Sequence, residues 1–181
     1  MTLTKGFVRL AATTALDTRL MDAAQFVRNA DGSPRTGVLG GFPSIVTTTA
    51  GMTVNVAAAA FVSTRGVADG VNRETNDGTV AVTIPAAPGS NSRFDLISVK
   101  HNDADAGDGS SLPVFVVTSG TAAASPTVPA TPTGCEPLAT LRIYSGTVAT
   151  NGGSNVLTNI YRMTAMSGGV VPMRTTTERD A

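Results

Sequence analysis

Between residues 116 and 143 the chain reads VVTSGTAAASPTVPATPTGCEPLATLRI. Two apolar, β-branched runs flank a segment of almost no charge that carries Pro126, Pro129, Pro132 and Pro137. Each proline fixes its own φ, offers no backbone N–H and pushes the residue before it towards extended backbone. The segment excludes helix and is far too long for a two-residue turn. It predicts a stiff, polyproline-like strap that, at roughly 3 Å per residue, can cross the end or face of a sheet structure. Its conformational freedom is already reduced before folding, so ordering it costs little. Two roles suit it: a connector between late strands of a Greek-key-like domain, or a docking strip against a neighbouring subunit.

Elsewhere the pattern is that of strands. SIVTTT, MTVNVAA, AFVSTRG, TVAVTIP, FDLISVKH, PVFVVTS, ATLRIYSG and NIYRMTAM are rich in β-branched residues. TVAVTIP alternates, with Val80, Val82 and Ile84 on one face, and MTVNV does the same with Met52, Val54 and Val56. Turn residues separate the runs: ADG at 68–70, NDG at 76–78, APGSNS at 87–92, DAGDG at 105–109 and NGGSN at 151–155. Short strands about ten residues apart predict a mainly β domain, an antiparallel β-sandwich or jelly-roll-like fold rather than a parallel α/β sheet. One stretch differs. LDTRLMDAAQFVRN, residues 16–29, sets Leu16, Leu20, Ala23 and Ala24 on one stripe, extended by Phe26 and Val27, and predicts a short helix. Thr14 or Asp17 can cap its start, and NADGSPRTG ends it. Three parts follow: an arm and helix at 1–29, a β-rich module at 30–167 and a connector at 168–181.

Composition narrows the function classes. Charged residues are 14 % of the 181, aromatics 4 %, against 27 Thr and 25 Ala. Typical domains carry about 25 % charge. A surface of Thr, Ser, Ala and Gly suits lateral packing against other chains. Net charge is zero and the Lys and Arg residues are scattered, which leaves no electrostatic footprint for nucleic acid. The longest apolar run, VNVAAAAFV, is too short to span a bilayer, and MTLTKGFVRL lacks the apolar core of a signal peptide. The expectation is a soluble chain made in a cytoplasm, without membrane contact. Cys135 is the sole cysteine, so no intrachain disulfide forms.

Candidate chemistry is sparse. His101 is the only histidine available as a base for Cys135 or a serine, and no nucleophile-elbow pattern surrounds any serine. GVLGG at 37–41 lacks the Lys of a phosphate loop. Asp103, Asp105 and Asp108 in NDADAGDGS fail the spacing of a helix-loop-helix calcium loop and read as a hairpin turn. Glu74, Glu136 and Asp95 are carboxylates that no spacing groups into a catalytic pair. The expectation is no enzyme, no metal and no cofactor. Arg93 and Asp95 stand two apart and share a strand face, with Phe94 and Leu96 on the other. They can pair with each other, cap the APGSNS turn or cross to another chain. Leu16, Leu20 and Phe26 on the helix and Pro126, Pro129 and Pro132 on the strap complete the interaction candidates, core packing being the plainer role of the helix face.

SRFDLISVKHNDADAG (92–107) followed by VFVVTSGTAAASPTVPATPTGCEPLATLRI (114–143) resembles a module in tail proteins of tailed bacteriophages, especially those of actinobacteria. The resemblance rests on Arg93, Asp95 and Leu96, the Gly120–Thr121 pair, Ala123 to Pro126, and Pro137–Leu138–Ala139. PRTGVLGG (34–41) and VNVAAAAFV match the first half of that pattern, and GGVVPMRTTTERDA (168–181) resembles the link into a fibre stem. It implies a virion protein: an upper tail-fibre or baseplate module, homotrimeric, held by other phage virion proteins. Residues 1–29 would then dock to the particle. Family members usually continue beyond ERDA, so a capsid decoration or head-fibre role stands as the alternative. A carbohydrate-binding module is a third, weakened by the absence of Trp and by only two tyrosines, Tyr144 and Tyr161.

Overall fold

The computed structural model describes residues 14–40 and 44–171. Among the described residues the fold is mainly β and sandwich-like, with one α-helix, α1 (Ala15–Ala23). Eleven strands follow: β1 (Gly37–Leu39), β2 (Val46–Thr48), β3 (Thr53–Val56), β4 (Ala59–Ser63), β5 (Asn72–Asn76), β6 (Val80–Thr83), β7 (Ser92–His101), β8 (Pro113–Ser119), β9 (Cys135–Tyr144), β10 (Val156–Asn159) and β11 (Met163–Thr164). They form three sheets in the orders β11-β1-β4-β5, β10-β9-β7-β8 and β2-β3-β6. Every pairing is antiparallel except β1 with β11.

One core joins the sheets. Val38, Phe61 and Met163 enter it from the first sheet, Ile97, Val99, Leu141 and Ile143 from the second, Val46, Val54, Val56 and Val82 from the third. The alternation read in MTVNV and TVAVTIP places these valines there. β4 is buried on both faces, because Val62 points outward under Ala23, Phe26 and Val71.

The helix is shorter than its periodicity suggests. Thr14 caps it in a reciprocal capping box with Asp17, and it ends at Ala23 instead of running to residue 29. Phe26 therefore shares no helical face with Leu16 and Leu20. It lies in extended chain bridged to Met166, with only 3 % of its surface exposed. Leu16 is 39 % exposed and Leu20 is half-buried. The backbone N–H of Val27 donates to Ala165 and that of Ser167 to Gln25, so residues 15–29 are built into the β module rather than forming a detached docking arm. Residues 1–13 and 172–181, which hold the rest of the predicted arm and most of the predicted connector, lie outside the described residues.

The topology explains the proline strap. β8 and β9 flank β7 and both run antiparallel to it, so they are parallel to each other. Parallel strands need a crossover connection, and a hairpin cannot supply one. The inner face of this sheet is occupied by the core, so the connection crosses the outer face. It starts where Gly120 donates to Phe94 (2.8 Å) and Ala123 to Ser92 (3.0 Å), and it ends where Cys135 pairs with Lys100 at the far end of β7. Leu96 and Ser98 point to that outer face and are buried nonetheless. Pro126, Pro129 and Pro132 are half-buried, whereas Thr127, Val128, Ala130, Thr131 and Thr133 are exposed. That period of three is the repeat of polyproline II backbone, with the proline rings turned to the protein.

Candidate functional site

Four groups of side chains account for the chemistry-bearing residues of the described chain. The first is the Arg93–Asp95 pair on the inner face of β7. Arg93 donates from Nε and Nη2 to the two oxygens of Asp95 at 2.8 and 3.0 Å, and from its two terminal nitrogens to the carbonyls of Ala86 and Pro85, both at 2.8 Å. Asp95 is fully buried and Arg93 nearly so. Two of the three sequence readings hold together: the residues pair, and the guanidinium clamps the chain entering the APGSNS turn. The pair is not a surface ion pair of slight value; both charges are desolvated and mutually satisfied.

The second group was invisible as a group in the sequence. Glu74 on β5 and Glu136 on β9 are both 4 % exposed, and each keeps one carboxylate oxygen, Oε2 and Oε1 respectively, without a hydrogen-bond partner. Ser63 donates to Glu74 Oε1 at 2.8 Å, and His101 Nδ1 stands 3.2 Å from the same oxygen without hydrogen-bond geometry. Thr36 bonds Glu136, and Arg162 in turn donates to Thr36 at 3.0 Å. Burial raises the pKa of Glu74 to about 7, with the charge of Glu136 adding to the rise. Burial raises Glu136 to about 7 as well, against the opposing pull of Thr36 and Arg162. Burial also lowers the pKa of His101, which favours the neutral ring. Ser63 bonds the carboxylate instead of the imidazole, so these three residues do not form a serine–histidine–carboxylate relay. Burial likewise raises the pKa of Cys135, away from the thiolate a nucleophile needs. What the arrangement can do is take up and release protons near neutral pH. Asp95 stands apart from it. Glu136 leaves one sequence trace, the lone acid of a largely apolar strand; Glu74 sits in NRETN, where nothing marks it as buried.

The third group is the NDADAGDGS turn, which the fold spends on internal ties. Asp103 pairs with Arg19 of α1 at 3.0 Å and accepts from Asp105 N–H at 3.0 Å. Asp108 accepts from Lys100 at 2.8 Å, from the backbone of Asp103 at 3.0 Å and from Arg65. These bonds, that of Lys100 foremost, hold the Asp108 carboxyl well below the usual range. Among the described residues no three His, Cys, Asp or Glu side chains are placed to hold a metal ion.

The fourth is a cleft of about 680 Å³. Its walls come from β5, β6 and β8, each an outer strand of its sheet among the described residues. Phe61 and Phe115 meet edge to face in it, with centroids 6.0 Å apart. Val80, Val82, Val99, Val114 and Val117 line it alongside the polar Thr75, Asn76 and Thr83, and Glu74 is the single ionisable residue among its described lining. A smaller groove of about 400 Å³ runs along β2 and β10, and hydrogen bonds span it. Asn159 of β10 bonds both N–H and C=O of Val46 on β2 at 3.0 Å, standing in for a strand partner. Thr150 accepts from Thr49 N–H and donates to Thr53 C=O beside it.

The two tyrosines offer no stacking platform. Tyr161 is buried in the core, and Tyr144 lies 4.9 Å from the guanidinium of Arg142, which also covers Phe94. No family model, curated protein or solved structure matches this chain.

Proposed function

We propose that this chain is a structural virion protein of a tailed bacteriophage, an upper tail-fibre or baseplate attachment module. The observation that carries the reading is where its motif residues fall. Arg93, Asp95, Leu96, Gly120 and Pro137–Leu138–Ala139, which carry the resemblance to phage tail modules, all belong to the β7–strap–β9 unit. Four of them have a mechanical task there. Arg93 and Asp95 clamp a turn. Gly120 has no room for a side chain, since a Cβ would come within 2.6 Å of the Phe94 carbonyl. Leu138 is the extra residue of a β-bulge, and its carbonyl accepts from both Ile160 and Tyr161. A motif with Arg93, Asp95, Gly120 and Leu138 bracing a scaffold fits an assembly part better than a catalyst. The neutral, Thr- and Ala-rich composition fits side-by-side packing in a trimer.

Two measurements test this reading. Sedimentation of the purified chain should give a species of three times 18.3 kDa. Mass spectrometry and electron microscopy of assembled particles should place the chain in three- or six-fold sets at the tail. Absence from particles overturns the reading, and many copies spread over a shell replaces it with the capsid-decoration alternative.

A further inference from the structure

We propose that the cleft between β5, β6 and β8 binds a small primary amine, with its ammonium on the Glu74 carboxylate and its apolar body against Phe61 and Phe115. The inference does not rest on the virion reading.

The carboxylate and the rings share one wall. Phe61 on β4 and Glu74 on β5 are direct partners in register, so their side chains leave the sheet on the same face. Phe115 of β8 meets Phe61 from the other sheet. Val80 and Val114, 39 % and 40 % exposed, carry the apolar surface out to the rim. The volume of about 680 Å³ lies in the range of ligand-binding clefts, roughly 300–1,000 Å³.

The acid sets the charge of the ligand. Glu74 is 4 % exposed; Ser63 occupies its Oε1, and no described group bonds its Oε2. A buried carboxylate oxygen without a donor costs free energy, and a donor that reaches it recovers that cost. Among the described residues no Lys or Arg pairs with Glu74. Its neighbour Arg73 turns to Asp22, while Arg65 and Lys100 are held by Asp108. Glu136 adds further negative charge, and nothing positive opposes the raised pKa of Glu74. These charges disfavour carboxylate and phosphate ligands and favour a cation. The ring faces of Phe61 and Phe115 attract a cation as well. One free oxygen suits the point charge of an ammonium, whereas a guanidinium fork needs two.

Amide NMR titrations of the full chain, at about pH 8 where Glu74 is ionised, test the proposal. The probes are phenethylamine and its uncharged counterpart 2-phenylethanol. Phenethylamine should shift the amides of residues 74–76, 80–83 and 113–117 with a Kd below about 1 mM. The alcohol should bind at least about tenfold more weakly. Glu74→Gln should weaken the amine by about tenfold or more and leave the alcohol nearly unchanged. Val114→Lys, at the exposed rim, is a second variant that spares the buried acid; its own ammonium should compete and weaken phenethylamine by a similar factor. Equal affinity for amine and alcohol overturns the proposal, as does full-strength amine binding in both variants. Absence of any shift at about 5 mM amine refutes it too, and so do shifts confined to residues 44–48 and 150–159.

Discussion

Arg93 and Asp95 show what a single charge costs at an inner sheet face. Removing one partner leaves the other buried and unpaired, which typically destabilises by about 3–5 kcal/mol. Arg93→Ala and Asp95→Ala should each lower the unfolding free energy measured in urea by that order, and the Arg93→Met/Asp95→Leu double variant should recover most of it. A double variant no better than the singles would mean that the Pro85 and Ala86 carbonyls, not the ion pair, depend on the guanidinium. Glu74 and Glu136 work with the opposite sign. Their protons are bound more tightly in the folded chain, with the pKa moved from 4.5 to about 7. Between those values the folded state holds more protons, so stability is greatest at the acidic end and falls as pH rises, by about 1.4 kcal/mol per pH unit for each proton held. His101 opposes this, because its lowered pKa adds stability as pH rises towards 6.5. Comparison with the Glu74→Gln/Glu136→Gln variant isolates the carboxyls: its stability should lose the downward slope between pH 4.5 and 7. Parallel profiles for the two proteins would show that the pair is ionised at no cost.

At the scale of elements, the strap tests how far stiffness differs from packing. Replacing Pro126, Pro129 and Pro132 by Ala frees the unfolded chain and should cost about 0.4–1 kcal/mol each, with unfolding still cooperative. Gly120→Ala forces a Cβ against the Phe94 carbonyl and should cost more than any one proline, roughly 1–3 kcal/mol. Equal effects would place Gly120 outside the tight crossing. The strap was legible because proline acts on its own backbone. Most strands were legible because alternating valines face one core. Two were not. β5, Asn72–Asn76, is polar on both faces: Asn72 and Glu74 are buried, Ser63 donates to one oxygen of Glu74, and Asn76 reaches the Val56 and Ala57 carbonyls. β1 lies in a glycine-rich segment where Gly37, at φ +138° and with Arg162 O only 2.4 Å from any Cβ, needs its missing side chain. The helix was read too long because Phe26 continues the apolar count after the hydrogen bonding has changed. The Glu74–Glu136 cluster was not legible at all, since it joins strands 62 residues apart through the packing of separate sheets.

In the whole molecule the segment 15–29 decides how much of the first sheet is covered. Ala23 and Phe26 lie over Val62, Val71 and Leu39 on its outer face. Removing that segment would expose this apolar surface and strip the Arg19–Asp103 and Asp22–Arg73 pairs that tie α1 to the acidic turn and to β5. Truncation to residue 30 should therefore give an aggregating chain, and Phe26→Ala alone should cost about 3–5 kcal/mol. Truncation to residue 14 keeps the capping box and this cover, so it should leave a cooperatively folded domain with a heat-unfolding midpoint close to that of the full chain. The contrast divides the predicted arm: residues 15–29 should be needed for the folded domain, and residues 1–13 should not. A soluble, cooperative domain beginning at residue 30 would reverse that division and return α1 to the role of a detachable docking element. Scanning calorimetry of the two truncations decides between them, because uncovered Val62 and Val71 predict a lower transition temperature for the shorter chain even where it stays in solution.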